Sequence, residues 1–432
     1  MKIKAFFMGF AEKYIAKQFD SFPLKQTTPE EGVNLIVVIP CFNEPNLPDT
    51  LRSLAACLPP KCLVEVLVVI NSPENSGEEV IEQNNLSCRW INANKKLFPG
   101  WLKVFAIKAE NLKRKWAGVG WARKIGMDEA VRRFSELENP SGIIVSLDSD
   151  TLVSSNYFCA IEEHFKKFAS HHFATIRFEH TYNNPAIEPY LAYGIVAYEL
   201  YMRYYRHALN WAGYPHALYT VGSAFAVRAE AYVKQGGMNR KKAGEDFYFL
   251  QKLIPLGEYG EIVSACVYPS CRLSNRVPFG TGPMLQAWIN GEKDLTLAYH
   301  FQAFHDLKQF LDQVDRLYKI SRSEFNALID KLPQGIKNFI LESSCFYESL
   351  AELSANCSDS SVFNKRFWHF FNAFTILKYL NFVHAGLFEM VPLAGSAFLL
   401  LNEIGFVHNR FMEADLSVYL AIFRKIDMEL KK

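Results

Sequence analysis

Three clusters of oxygen-bearing side chains stand out along the chain: Asn43-Glu44, Asp148-Ser149-Asp150 and Glu245-Asp246. Two aspartates with one residue between them can present carboxylate oxygens on the same side of the backbone. Mg²⁺ and Mn²⁺ prefer such hard ligands and usually share their shell with substrate phosphates. The same pair would also suit turn residues capping a helix that starts near Ser154 or Ser155. Glu245-Asp246 offers a carboxylate able to take the proton of an attacking hydroxyl, or an acidic first turn for the helix pattern that follows. Glu44 reads in two ways as well, as a ligand contact or as an acid ahead of a helix.

Position gives these clusters weight. Val33 to Ile39 is a nearly continuous apolar run closed by Pro40, which suits a strand covered on both faces of a parallel sheet. Asn46 to Leu58 has apolar residues at helical spacing, and Leu63 to Ile70 is a second buried strand ending at Asn71-Ser72-Pro73. Strand, helix and strand of this length make a βαβ unit. Residues 77–115 read as an insertion carrying one or two strands, and Gly118 to Phe134 as a helix. Gly142 to Leu147 is a third buried strand, and it delivers Asp148-Ser149-Asp150 at its carboxyl end. Ligands of open α/β sheets bind outside that end. Strands follow at Phe173–Phe178, Tyr219–Val227 and Glu261–Tyr268, with helices at Ile187–Trp211 and Glu245–Leu253. From Met284 onward the pattern is helical, with no strong strand.

In order and separation, Pro40 to Glu44, Ala122-Arg123-Lys124-Ile125-Gly126, Asp148-Ser149-Asp150, Gly222 to Arg228 and Gly244-Glu245-Asp246 resemble the family 2 glycosyltransferases. The likeness covers roughly residues 33 to 275, and the later segment is similar to a bacterial subgroup with a helical extension. The resemblance implies an α/β GT-A fold: a Rossmann-like, mostly parallel sheet flanked by helices, with an α-helical C-terminal region. It implies a metal-dependent transfer from a nucleotide-sugar donor to an acceptor hydroxyl. On it, Pro40, Glu44, Asn71, Arg123, Asp148 and Asp150 bind the donor, and Asp148 and Asp150 hold Mn²⁺ or Mg²⁺. Asp246 is the base with Glu245 beside it, and Gly222 and Ser223 face the acceptor. Two departures stand out: Asn71 where the family often has an acid, and Lys124 where it has asparagine. Arg123 reads as a nucleotide contact or as a helix-surface ion pair. Arg272 and Arg276, in a Gly/Pro-rich loop, read as a grip on phosphate or an acidic acceptor, or as interdomain salt bridges.

Inversion by one displacement is the expectation, with a retaining relative and a non-catalytic nucleotide-sugar-binding scaffold as alternatives. A sugar nucleotidyltransferase would place a glycine-rich loop after the first strand, and Pro40 to Pro45 contains no glycine. The net charge of +2, from 47 basic and 45 acidic residues, provides no field for nucleic acid. Nine scattered cysteines without C-x-x-C spacing point to thiols in the cytoplasm. A membrane span needs about 20 apolar residues. Phe382 to Phe406 is interrupted by His384, Glu389, Pro392, Asn402 and Glu403, so it reads as a buried helical hairpin. The expected organisation is an amphipathic extension at 1–31, a catalytic domain at 32–283 and a helical domain at 284–432. Peripheral contact with the inner face of a membrane and a homodimer are left open, as is the acceptor among a glycan, a lipid-linked and a small molecule.

Overall fold

A computed structural model describes residues 9–18, 27–185, 187–239, 241, 244–273, 280–343, 345–407 and 414–429. The chain divides into two compact units, Met1–Ala186 with Thr220–Gln286, and Ile187–Tyr219 with Ala287–Lys432.

The first unit opens with α1 (Glu12–Gln18) and is built on β1 (Val33–Cys41), β2 (Leu63–Pro73), β3 (Leu102–Leu112), β4 (Ile143–Ser146), β5 (Leu152–Val153), β6 (Phe173–Phe178), β7 (Phe225–Arg228) and β8 (Tyr259–Tyr268). They form one sheet in the order β3-β2-β1-β4-β7-β6-β8-β5. The pairs β2/β3, β1/β2, β1/β4 and β6/β8 are parallel, and β7 runs antiparallel to both of its neighbours. Leu35 to Ile39 and Val66 to Ile70 are all buried, at about 1.5–3 kcal/mol for each large aliphatic side chain. That burial fixes the central strands and hence the place where their carboxyl ends emerge.

The connections are α2 (Leu47–Ala55), α3 (Glu78–Ala93), α4 (Val119–Glu136), α5 (Tyr157–Lys167), and after α6 (Pro189–Trp211) the short α7 (Ala229–Lys234) and α8 (Glu245–Leu253). Residues 77–115 hold one strand, β3, and the 16-residue α3, a helix that the sequence reading of an insertion did not anticipate. Gly126 lets α4 lie close on the sheet, since a Cβ there would sit 2.4 Å from Val38 Cγ1.

The second unit is helical. Helix α6 clusters with the helices of the C-terminal segment, although in the linear reading it falls within 32–283. Its core is aromatic: Phe310, Phe367 and Phe371 are fully buried, with Phe310 and Phe371 ring centres 5.1 Å apart. The segment read as a hairpin contains the helix Leu393–Glu403, preceded by Ala373–His384. Two-residue strands at Leu297–Ala298 and Val391–Pro392 pair antiparallel. Among the described residues, no helix is long and apolar enough to cross a membrane.

Candidate functional site

The site is built at the carboxyl edge of β1 and β4. β4 ends at Ser146, whose hydroxyl donates to the Gly222 carbonyl at 2.7 Å. Asp148 follows two residues later, and its Oδ1 accepts from Arg123 Nη2 at 2.6 Å. The other nitrogen of the fork, Nη1, binds Glu245 Oε1. Arg123 is therefore a bridge between the D-x-D and the acidic pair 122 residues away in sequence, and it is buried. Gly222 makes room for it, because a Cβ there would lie 2.9 Å from Arg123 Nη2. Ser223 is buried beside this glycine with no hydrogen-bond partner for its hydroxyl. The Arg123 Nε is likewise unpartnered.

The aspartates do not cap the following helix. Helix α5 has Asn156 at its N-cap and no side-chain cap bond. Asp150 faces a second arginine: Arg272 Nη2 lies 3.6 Å from Asp150 Oδ2 and 2.6 Å from Glu44 Oε2. Glu44 is buried, and its other oxygen accepts from the Asn46 backbone at 2.8 Å. It thus both braces the entry to α2 and anchors Arg272. Asp148 and Asp150 keep their side chains 38% and 24% exposed, enough to meet a ligand.

Glu245 and Asp246 open α8. Burial raises the Glu245 carboxyl to about 7. The Arg123 charge opposes that shift, while the charges of Asp246 and Asp148 reinforce it. Burial also raises Asp246, against the pull of Arg123 and of the Phe247 amide, which donates to its Oδ1 at 2.7 Å. Two carboxylates this close titrate as a pair. A carboxyl raised toward neutrality, as Glu245 is, suits proton transfer.

Of the remaining expected residues, Pro40 is buried within β1 opposite Val69, and Asn71 is buried near the end of β2. Arg276 lies outside the described residues.

Two features escape sequence reasoning. Asn84 is buried in α3; its Oδ1 accepts from the Asn43 amide at 3.1 Å and its Nδ2 donates to the Asn71 carbonyl at 3.1 Å. It ties the loop after β1 to the end of β2. A polar residue on the inward side of a helix was the only available signal. The second feature explains Lys124. Its Nζ donates to Asp128 Oδ2 at 2.9 Å and to Tyr14 Oη at 3.0 Å, while the Tyr14 and Tyr232 hydroxyls donate to Asp128 Oδ1 at 2.7 and 2.8 Å. Helix α1 is thereby latched to α4 next to Arg123.

Residues 36–235 match the family described as Glycosyl transferase family 2. This segment is a glycosyltransferase family 2 domain, and the protein is a glycosyltransferase. No curated protein matches the chain at a significant level. Among solved structures, residues 1–349 of S. aureus TarS in complex with UDP-GlcNAc align at TM-score 0.38 and 14% identity, covering 91% of each chain. Mannosyltransferase PcManGT from Pyrobaculum calidifontis, in complex with GDP-Man and Mn2+, aligns at TM-score 0.35 and 15% identity, covering 98% of this chain and 93% of that one. Scores of this size bear on neither substrate nor mechanism. What this glycosyltransferase can do chemically is set by its own groups: an acid pair raised by burial, two part-exposed aspartates and two arginines.

Proposed function

We propose that this glycosyltransferase uses a nucleotide-sugar donor and inverts the anomeric centre by one in-line displacement, with Asp246 as the base. The observation that carries the reading is the Arg123 bridge. It joins Asp148 of the D-x-D to the pair containing Asp246, so that donor and acceptor chemistry share one place. Asp246 accepts the acceptor hydroxyl's proton as the new glycosidic bond forms, and the bond to the diphosphate breaks with its electrons leaving on the diphosphate. Arg272, whose side chain is 32% exposed, is suited to meet the phosphoryl oxygens, since a guanidinium fork matches phosphate geometry, while buried Arg123 holds Asp148 in place at the donor side. Gly222 and Ser223 are assigned to the acceptor side, and Glu44, Pro40 and Asn71 to the nucleoside.

A divalent cation, Mn²⁺ or Mg²⁺, suits Asp148 and Asp150. Both are hard oxygen donors with part-exposed side chains, and the cation would share each carboxylate with an arginine. Among the described residues, no three His, Cys, Asp or Glu side chains gather as a metal cage. A site that relies on one or two carboxylates plus substrate phosphates does not need one. When bound, the cation neutralises charge building on the departing diphosphate.

We further assign 32–283 to catalysis and 284–432 to a helical domain. None of the nine cysteines forms a disulfide, which supports a reducing, cytoplasmic setting.

Replacing Asp246 by Asn is expected to lower transfer about 10²–10⁴-fold, with nucleoside-diphosphate binding by calorimetry retained. Normal turnover by that variant removes Asp246 from the mechanism. A product that keeps the donor's anomeric configuration by NMR overturns the single displacement.

A further inference from the structure

The loop between β3 and α4 carries Lys113-Arg114-Lys115-Trp116, with Trp121 in the first turn of the helix. All three cations are exposed, and among the described residues none forms an ion pair with a carboxylate. The segment is nonetheless held in one shape. The Arg114 amide donates to Glu74 Oε1 at 3.1 Å, and the Trp116 and Ala117 amides both return to the Lys113 carbonyl. Lys113 and Lys115 flank the Trp116 ring, their Nζ atoms 5.7 and 4.5 Å from its centre. Trp121 stands 6.2 Å from Trp116, ring to ring. Both tryptophans are half-buried.

Three adjacent cations without an ion pair, two of them over the Trp116 ring, thus stand exposed beside two half-buried indoles. A small anion would need a concave site with convergent donors. Here the three cations stand exposed on a turn that follows the edge strand of the sheet. Lysine and arginine heads with apolar stems, beside indole rings, match the interface of a bilayer whose headgroups are anionic.

We propose that this loop is a docking surface for an anionic lipid bilayer. Its place in the fold gives the contact a purpose. The loop leads directly into α4, whose first turns carry Trp121 and then Arg123, and it leaves β3 at the carboxyl edge of the parallel sheet. Adsorption through the loop therefore brings that edge, with Asp148 and Asp150, toward the bilayer. An acceptor displayed by the membrane would be met there.

The test is vesicle co-sedimentation of the full chain, which reads neither donor binding nor transfer. Vesicles of phosphatidylcholine alone are compared with vesicles containing phosphatidylglycerol. Wild type is expected to bind the anionic vesicles, to bind the neutral ones weakly, and to be released as salt rises. The triple variant K113Q/R114Q/K115Q should bind about a hundredfold more weakly. Trp116→Ala, which keeps the charge, should weaken binding by a smaller factor. The loop cations make no contact with Arg123, Asp148 or Asp246, so turnover on a soluble acceptor should be unchanged in the triple variant. A circular dichroism spectrum like that of wild type excludes misfolding. Equal binding to both vesicle types, or undiminished binding by the triple variant, overturns the proposal. Binding to soluble polyphosphate but not to vesicles overturns it too, in favour of a soluble polyanion.

Discussion

The two compact units each bury an arginine–carboxylate cluster, and the clusters are built to opposite ends. In the second unit, Asp427 accepts from Arg206 and Tyr219 at 2.9 Å, lies 2.8 Å from His207 Nε2 and also pairs with Arg203. Glu199 accepts from Arg203 and Arg424, each through two nitrogens. Burial alone would raise Asp427. The His207 hydrogen bond and the arginine charges outweigh it and hold the carboxyl at about 2. In the first unit, one arginine serves Asp148 and Glu245, its Nε has no partner, and the Glu245–Asp246 pair is pushed up rather than down. A cluster whose charges are matched by neighbours stabilises the fold. One left short of cations and hydrogen bonds is ready for a ligand or a proton.

The largest expected effect is on the matched cluster. Asp427→Ala removes the buried carboxylate shared by Arg203, Arg206, His207 and Tyr219, and removing one partner of a buried pair costs about 3–5 kcal/mol. Urea unfolding followed by circular dichroism should show it. A loss below about 1 kcal/mol would mean that the network is no tighter than a surface pair, and the contrast with Arg123 would fail. The pH dependence has a definite sign. With a folded pKa near 2 against 3.8, Asp427 contributes stability that is present above 3.8 and lost as pH falls toward 2.

The next effect belongs to the poised cluster, and its slope is reversed. Glu245 has a folded pKa of about 7 against 4.5, so its contribution to stability falls as pH rises from 4.5 to 7 and is flat above that. Glu245→Gln removes this slope. The charge of Asp246 helps to raise Glu245, so Asp246→Asn should move the Glu245 titration midpoint, followed by NMR of the side-chain carboxyl, to lower pH. A midpoint that stays in place would show that the two carboxyls titrate independently.

The difference between the clusters was only half legible in the sequence. Continuous apolar runs mark β1, β2 and β4, and Asp148 and Asp150 follow the end of β4, while Asp246 stands at the start of the helical period of α8. Helix α8 begins and ends where the periodicity put it. Helix α3 was missed because its inward face carries Asn84 and Ser87 as well as Cys88 and Ile91, which blurs the apolar period. The Arg123–Glu245 and Arg203–Asp427 pairs join residues 122 and 224 apart. No local pattern encodes such pairings, so an arginine's role stayed open between ligand contact and ion pair. In Arg123 the structure shows an ion pair that is itself part of the site.

The smallest effect tests a third cluster that lies between these two in character. Tyr14, Lys124, Asp128 and Tyr232 are joined by hydrogen bonds, so the group is matched like the Asp427 network. Yet Lys124 is the residue next to Arg123. Tyr14→Phe removes one donor to Asp128 and one acceptor for Lys124, while Tyr232 and Lys124 still hold Asp128. The expected loss of stability is about 1 kcal/mol. If the latch serves only the fold, nothing else changes. If it positions Arg123, the donor KM rises about two- to fivefold, which is under 1 kcal/mol, while kcat holds. Steady-state kinetics at saturating acceptor separate the two. An unchanged KM alongside the stability loss would place the latch with Asp427, as an anchor for α1 and not as part of the donor site.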